Sequence, residues 1–448
     1  MTNVAKRIAA LETELSNCIN GYISYKTIRG KEKPYLQWSE NGKLKSRYIK
    51  ADELEDIRAM VERRKQIQEE IKTLKATPEG LQSTNLRRKA ARNTQSITGA
   101  LMSGDREIAK IKNGDIVSYD PNLIPLYLKR TGDVEGWLAS RAIDSHRTNS
   151  RLLKRALRLK STDDVQTVLS VNAATLTDNY WFCPDGLTTT YDEIRFRENQ
   201  FAELALRGDP DSFSHRPSRT PELTNIGSFE KCWKLIDGEW WMYKRGNNLE
   251  YFSELFICRL GEKLGLDMAH YEMDGEYIRS KDFTSGTSVN FEPMSALVDD
   301  NDDYEVCFET LYHISEKMAR QYLYLVWFDS ICYNMDRHTG NFGLLRDVKT
   351  GEILSLAPNY DNNIALIANG YSSDPQRKND GLIRFFEDFL KNSEKARDLV
   401  SNENFPRITA EIIDECSDLP GFDVDRNYIR TFVLSGQERI EKILDKLK

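Results

Sequence analysis

The chain has 448 residues, 63 Lys+Arg against 70 Asp+Glu, a formal net charge of −7, and 40% hydrophobic and 30% charged residues. The hydrophobic share excludes a mostly disordered chain, the charged share excludes an integral membrane protein, and the length suits about two to four domains. The modest net charge conceals an asymmetry: residues 1–160 carry 32 basic and 19 acidic side chains, a balance of +13, and the remainder 31 and 51, a balance of −20. A basic amino-terminal third on an acidic body points to two parts with different partners, the first suited to nucleic acid or to docking on the second.

Seven cysteines (Cys18, Cys183, Cys232, Cys258, Cys307, Cys332 and Cys416) are scattered, odd in number and without a C-x-x-C pair. That pattern indicates neither a zinc site nor a disulfide framework and fits a reducing cytosol. The amino terminus has no apolar signal-type core and no segment approaches ~18 consecutive apolar residues, so a cytoplasmic protein with no membrane partner is expected.

In chain order, Val4, Ile8, Leu11 and Leu15 recur at helical spacing and predict a short amphipathic helix over 4–18. Residues 21–50 alternate β-branched and aromatic runs with Arg29-Gly and Asn41-Gly, the pattern of a three-stranded meander. Leu54, Ile57, Val61, Ile67, Ile71 and Leu74 predict a helix over 52–75, which closes a module spanning 1–76. Within 21–50, eight Lys/Arg and two Glu are interleaved with Tyr22, Tyr25, Tyr35, Trp38 and Tyr48. Such a sheet can track phosphates and stack on bases, or be a solvated face, or dock on the acidic body. Thr77-Pro-Glu-Gly-Leu reads as a linker, and 77–160 as a basic, mainly helical connecting region. From 161 the composition turns acidic and aromatic.

The sharpest pattern is Asn334-Met-Asp336-Arg-His338-Thr-Gly-Asn341-Phe, after the apolar run Tyr322-Leu-Tyr-Leu-Val-Trp-Phe. A buried helix ending in a short polar loop holds side chains firmly, as positioned chemistry requires. Asp336 and Asn341 have the separation of the base Asp and the metal-binding Asn of a kinase catalytic loop. Phe342-Gly-Leu-Leu-Arg and Glu352-Ile-Leu-Ser-Leu predict a hairpin turning at Asp347–Gly351. It would return Asp361 to Asn341, so that both oxygens could face one Mg²⁺. His338 is placed to support the loop or to touch a phosphate.

Asn-x-Asp-x-His-x-x-Asn-Phe followed by Tyr-Asp resembles the catalytic segment of HipA-like serine/threonine kinases, and shares Asp-Arg-His-x-x-Asn with phosphatidylinositol-3/4-kinases. The resemblance covers roughly residues 220–448. It implies an α+β, bilobal protein-kinase-like fold, with a small β-rich nucleotide lobe over 161–285 (core from about 220), a helical catalytic lobe over 286–448, and the basic α/β module in addition. It also implies use of ATP and Mg²⁺, with Asn334, Asp336 and His338 in the catalytic loop and Asn341 and Asp361 as metal ligands.

Upstream, Gly227-Ser228-Phe-Glu-Lys231 through Asp237-Gly238 to Trp240-Trp-Met-Tyr-Lys244 reads as strand, turn, strand, with Lys244 at the end of an aromatic strand facing a cleft. It is similar to the family's Gly-x-x-Glu-Lys phosphate loop and strand lysine, which implicates Gly227, Ser228, Lys231 and Lys244 in nucleotide binding. A helix over 249–264 carries Ser253-Glu254, similar to the family's Asn-Glu helix. By that match Glu254 steadies the lysine, with Glu250 as rival. Ser280, Lys281 and Asp282 fall where the family has its interlobe hinge. Thr224 and Ser228 lie where related kinases phosphorylate their own loop.

The expected activity is transfer of the ATP γ-phosphate to a Ser/Thr hydroxyl of a protein, with Asp336 as base and self-phosphorylation as an added possibility. Two alternatives stand beside it: a lipid or small-molecule kinase of the same fold, or a nucleic-acid-binding regulator whose kinase-like body senses nucleotide. Residues 1–160 do not match the family's usual amino-terminal subdomain.

Overall fold

The computed structural model describes residues 7, 10, 11, 14, 15, 22–28, 31–40, 43–50, 53–76, 97–159 and 163–446. The chain separates into two units, Met1–Gln95 and Ser96–Lys448.

In the first unit β1 (Tyr22–Ile28), β2 (Lys31–Glu40) and β3 (Lys43–Tyr48) form the predicted antiparallel meander, in the order β1-β2-β3. Helix α1 (Leu54–Ala76) follows. Leu36, Ile49 and Ile57 are buried together, with Ile23, Leu54 and Val61 packed against them, so sheet and helix share one small core. Leu11 joins Ile67 and Ile71 in a second cluster, as helical spacing on both segments requires. Residues 7, 10, 11, 14 and 15 are helical; the rest of the predicted 4–18 helix, the Arg29-Gly and Asn41-Gly turns and the 77–81 linker lie outside the described residues.

The second unit opens with a correction. Residues 99–119, expected within a mainly helical connector, form strands β4 (Gly99–Ser103), β5 (Arg106–Lys112) and β6 (Asp115–Tyr119). Short strands with Gly104 and Gly114 at positive φ in the turns are poorly distinguished from polar helix by charge content. With β7 (Tyr180–Pro184) they make a sheet in the order β6-β5-β4-β7, so pairing of β4 to β7 crosses the boundary expected at residue 160. Short helices at Leu126–Thr131, Val134–Ser140, Ser150–Ala156 and Asp164–Leu169 lie between β6 and β7.

A second sheet, in the order β10-β11-β9-β8, comprises β8 (Lys231–Ile236), β9 (Glu239–Lys244), β10 (Tyr271–Asp274) and β11 (Tyr277–Lys281). Between β9 and β10 runs α2 (Asn248–Lys263), started by a capping box of Asn247 and Glu250 and followed by Gly265 at φ 76°. A third sheet joins β12 (Val289–Pro293) to the predicted hairpin β13 (Gly343–Asp347) and β14 (Ile353–Leu356).

The helical part comprises α3 (Tyr304–Ile314), α4 (Glu316–Cys332), α5 (Gly381–Asn392), the short helices Glu394–Ser401 and Ala410–Ser417, and α6 (Arg426–Asp445). Phe252, Phe256, Phe308, Leu323, Val326, Phe328, Ile331, Phe386 and Phe432 belong to one core joining α2 to these helices. Each such side chain contributes about 1.5–3 kcal/mol by leaving water, which fixes α4 and hence the loop at its end. α4 stops where Tyr333 takes a left-handed conformation at φ 58°.

Buried polar contacts lie within the β4–β7 region and tie it to the β12–β14 sheet. Arg141 forks onto Asp178 at 2.8 and 2.9 Å. Glu292 on β12 accepts hydrogen bonds from Arg346, the Tyr180 hydroxyl and the Leu126 amide. Arg346 reaches the Asn122 and Ile124 carbonyls. Residues 97–200 are therefore built into the second unit. Among the described residues no helix is long and apolar enough to cross a membrane.

Candidate active site

The loop after α4 is closed largely by its own hydrogen bonds. Asn334, 2% exposed, accepts the Asp336 amide at 3.1 Å and donates to Asp329 at 3.2 Å and Asn362 at 3.1 Å. The His338 amide donates to the Asp336 carbonyl at 2.9 Å and the Asn341 amide to the His338 carbonyl at 2.8 Å. The Asn341 side-chain nitrogen donates to the Asp336 carbonyl at 2.9 Å, leaving its amide oxygen as the hard-donor end. His338 is exposed and its Nδ1 accepts the Gly340 amide at 3.1 Å, so this ring supports the loop.

The hairpin does what its spacing predicts. Leu344 pairs with Leu356 and the Ala357 amide donates to the Gly343 carbonyl at 2.8 Å, which returns the chain beside Asn341. Arg337, which the sequence reading passed over, makes the junction. It donates to the carbonyls of Asn341 (2.6 Å) and Tyr360 (2.7 Å), to the side-chain oxygens of Asn359 (2.7 Å) and Asn362 (2.8 Å), and to Asp329 at 2.8 and 3.0 Å. A lone arginine in a polar loop carries no periodic signal of burial. Its only sequence hint is the apolar α4, which must bury Asp329 and hence needs a cation beside it.

Asp361 has a left-handed backbone, φ 61°, a conformation that costs a non-glycine residue on the order of 1 kcal/mol or more. Neighbours hold it there: the Tyr271 hydroxyl accepts its amide at 3.1 Å, Glu254 accepts the Asn362 amide at 2.8 Å, and Arg337 takes the Tyr360 carbonyl. The Asp361 carboxylate meets the Lys244 ammonium at 2.5 Å. Burial would raise this carboxyl, but Lys244 and then Lys231 outweigh it and hold it below the ordinary range. Burial likewise disfavours the Lys244 ammonium, yet Asp361 and Glu254 hold its pKa above the usual lysine value.

Glu254, fully buried, lies 4.0 Å from Lys244. Burial pushes its carboxyl up to about 7 against the pull of Lys244, and its Oε2 has no hydrogen-bond partner among the described residues. Glu250, the rival, is occupied in the α2 capping box, its carboxylate accepting the Asn247 amide at 2.8 Å. Asp336 is partly exposed and its carboxyl is raised by burial, against the pull of His338, Arg337 and Lys244; the Asn341 side-chain nitrogen stands 3.5 Å from it.

Lys231 and Lys244 are direct cross-strand partners in the β8–β9 register. Burial, then repulsion from Lys244, brings the Lys231 ammonium down to about 7, while Asp361 draws it the other way. Gly227 has φ 113°, a conformation that L side chains rarely adopt, and the Lys231 Nζ lies against it, 2.4 Å from where a Cβ would stand. Ser228 is exposed in the same loop. Thr224 is buried, its hydroxyl donating to the Ala174 carbonyl at 2.8 Å, out of reach of modification without local opening.

Ser280 stands opposite Tyr271 in the β10–β11 register, whereas Lys281 and Asp282 make their contacts elsewhere. The Lys281 amide bonds to the His270 carbonyl and its ammonium to Glu239; the Asp282 amide bonds to the Trp240 carbonyl and its carboxylate caps the turn at Thr284 and Gly286. Their amides are engaged within the protein.

Among the described residues no group of three or more His, Cys, Asp or Glu could hold a metal ion. Asn341 and Asp361 offer instead two hard oxygen donors, a set that fits Mg²⁺, which keeps waters and substrate phosphates in its shell, better than a softer ion.

A family model described as a domain of unknown function (DUF6788) matches residues 1–59. No curated protein matches the chain. Among solved structures, the chain is similar to the Helicobacter pylori proinflammatory kinase CtkA, with 18% identity and a TM-score of 0.40, over 48% of this chain and 94% of that one. It is also similar to a chain in the Shewanella oneidensis toxin–antitoxin complex of HipA, HipB and operator DNA, with 13% identity and a TM-score of 0.47, over 78% of this chain and 99% of that one.

Proposed function

We propose that this protein is a kinase that transfers the γ-phosphate of ATP to a Ser/Thr hydroxyl of a protein. The observation that carries this reading is the convergence of Lys244, Glu254, Asp336, Asn341 and Asp361 from four separate segments, with Arg337 clasping the two loops together. Asp336 orients the acceptor hydroxyl and takes its proton as the new O–P bond forms; the γ-phosphorus parts from the β–γ bridging oxygen, leaving ADP. Lys244 and Lys231 place positive charge where the polyphosphate lies. Asn341 and Asp361 would hold Mg²⁺, which when bound neutralises charge on the phosphates. Because Asp361 is paired to Lys244 at 2.5 Å, the ammonium holds that carboxylate ionised and oriented before nucleotide arrives. A partner of the basic amino-terminal unit, nucleic acid on the charge argument, belongs to the same proposal.

The test is incubation of the full chain with labelled ATP, with and without Mg²⁺, scoring self-modification and transfer to protein extract. Metal-dependent label on Ser or Thr, absent in Asp361→Asn, is expected. Equal label in Asp361→Asn would reject the assignment.

A further inference from the structure

The loop ahead of β8 is gripped from beneath by a side chain from far upstream. Arg147, 1% exposed, donates from Nη1 to the Asn225 carbonyl at 3.2 Å, from Nε to the Phe229 carbonyl at 3.0 Å and from Nη2 to the Lys231 carbonyl at 2.6 Å. A guanidinium is a planar fork of five donors, and here it spans both ends of the loop that holds Gly227. Glu222 faces it at 4.0 Å and is itself fixed by the Trp233 amide at 2.6 Å and by the side chains of Asn199 (2.8 Å) and Asn225 (3.0 Å).

Because the peptide unit is planar and trans, a carbonyl turned toward Arg147 turns the N–H of the next residue away, which here is Ile226 after Asn225 and Glu230 after Phe229, one at each end of the loop. The amides of Ile226, Gly227, Ser228 and Phe229 donate to no acceptor among the described residues. Consecutive free amides in a turn form a concavity for anions, and the Lys231 ammonium lies against Gly227 in the same place.

We infer that Arg147 is a positioning residue for this loop: by gathering three carbonyls beneath it, it presents the loop amides and Lys231 to a polyphosphate. The inference rests on the kinase reading above and extends the nucleotide site into residues before 160. Arg147 touches no phosphate itself. Its loss would leave the protein able to bind the nucleoside but not to order the phosphates.

The experiment measures binding of ATP, inorganic tripolyphosphate and adenosine to the full-length wild type and Arg147→Lys by calorimetry, alongside thermal melts. Lysine keeps the charge opposite Glu222 but cannot span three carbonyls. The expected result is a loss of roughly ten- to a hundredfold for ATP and tripolyphosphate, the scale of a misplaced binding group, with adenosine unchanged. Should Arg147→Lys fail to fold, the double variant Arg147→Gln with Glu222→Gln, which leaves no unpaired buried charge, carries the same measurement. Wild-type affinity for tripolyphosphate in the variant, or a parallel loss of adenosine, would overturn the inference. Tripolyphosphate binding by the wild type that is lost in Arg147→Lys, with no phosphorylation by the wild type, rejects the kinase reading and supports the loop's role. Wild type that binds neither ATP nor tripolyphosphate rejects both.

Discussion

Lys244 and Asp361, 117 positions apart in sequence, form an ion pair at 2.5 Å, while Glu254, the expected partner of the lysine, stands farther off at 4.0 Å. The lysine thus couples the β8–β11 sheet directly to the candidate metal carboxylate, with the glutamate farther from it. Lys244→Met leaves Asp361 largely buried without its nearest cation. Removing one partner of such a pair costs about 3–5 kcal/mol, reduced here because Lys231 and Arg337 also act on Asp361. Chemical denaturation should show that destabilisation, and label transfer from ATP should fall by roughly a hundredfold or more.

Asp336→Asn should separate chemistry from folding. This side chain is partly exposed, and among the described residues its carboxylate has only a long contact, 3.5 Å, from the Asn341 nitrogen. The variant should keep wild-type thermal stability and nucleotide affinity while losing phosphate transfer. Retained transfer would remove Asp336 from the mechanism.

Arg337→Lys should fail on both counts. Lysine keeps the charge beside Asp329 but cannot reach the Asn341 and Tyr360 carbonyls together, so the two loops would come apart. A loss of about 2–4 kcal/mol from unsatisfied buried groups is expected, with transfer abolished at temperatures where the variant remains folded. Circular dichroism melts and the transfer assay read the two effects.

Lys231 gives a pH signature with a definite sign. Its pKa falls from 10.5 in a free side chain to about 7 in the fold, so between those values the folded state binds fewer protons than the unfolded one. Stability then rises with pH across that window, and the penalty is complete below about pH 7. Lys231→Met should melt higher than wild type at pH 7, with the gap closing toward pH 10. If Lys231 meets phosphate, ATP binding at pH 8 should take up a proton in the wild type and none in the variant. Calorimetry in buffers of different ionisation enthalpy measures that uptake, and equal uptake in both would place Lys231 away from the phosphates.

The sequence by itself determined the local elements and the chemical pattern. Helical spacing marked α1 and α2, an apolar run marked α4, turn residues marked the meander and the β13–β14 hairpin, and the return of the Asp361 segment to the Asn341 loop was legible because a hairpin brings its ends to one place. These are short-range constraints, written in periods of two and 3.6 residues and in turn chemistry. Long-range polar satisfaction left no such trace. That Arg337 clasps two loops, that Tyr271 steadies Asp361, that Arg147 grips the Gly227 loop and that β4 pairs with β7 were decided only by the tertiary structure. A buried charge must find its acceptors wherever packing brings them, and no interval along the chain records which residues those are.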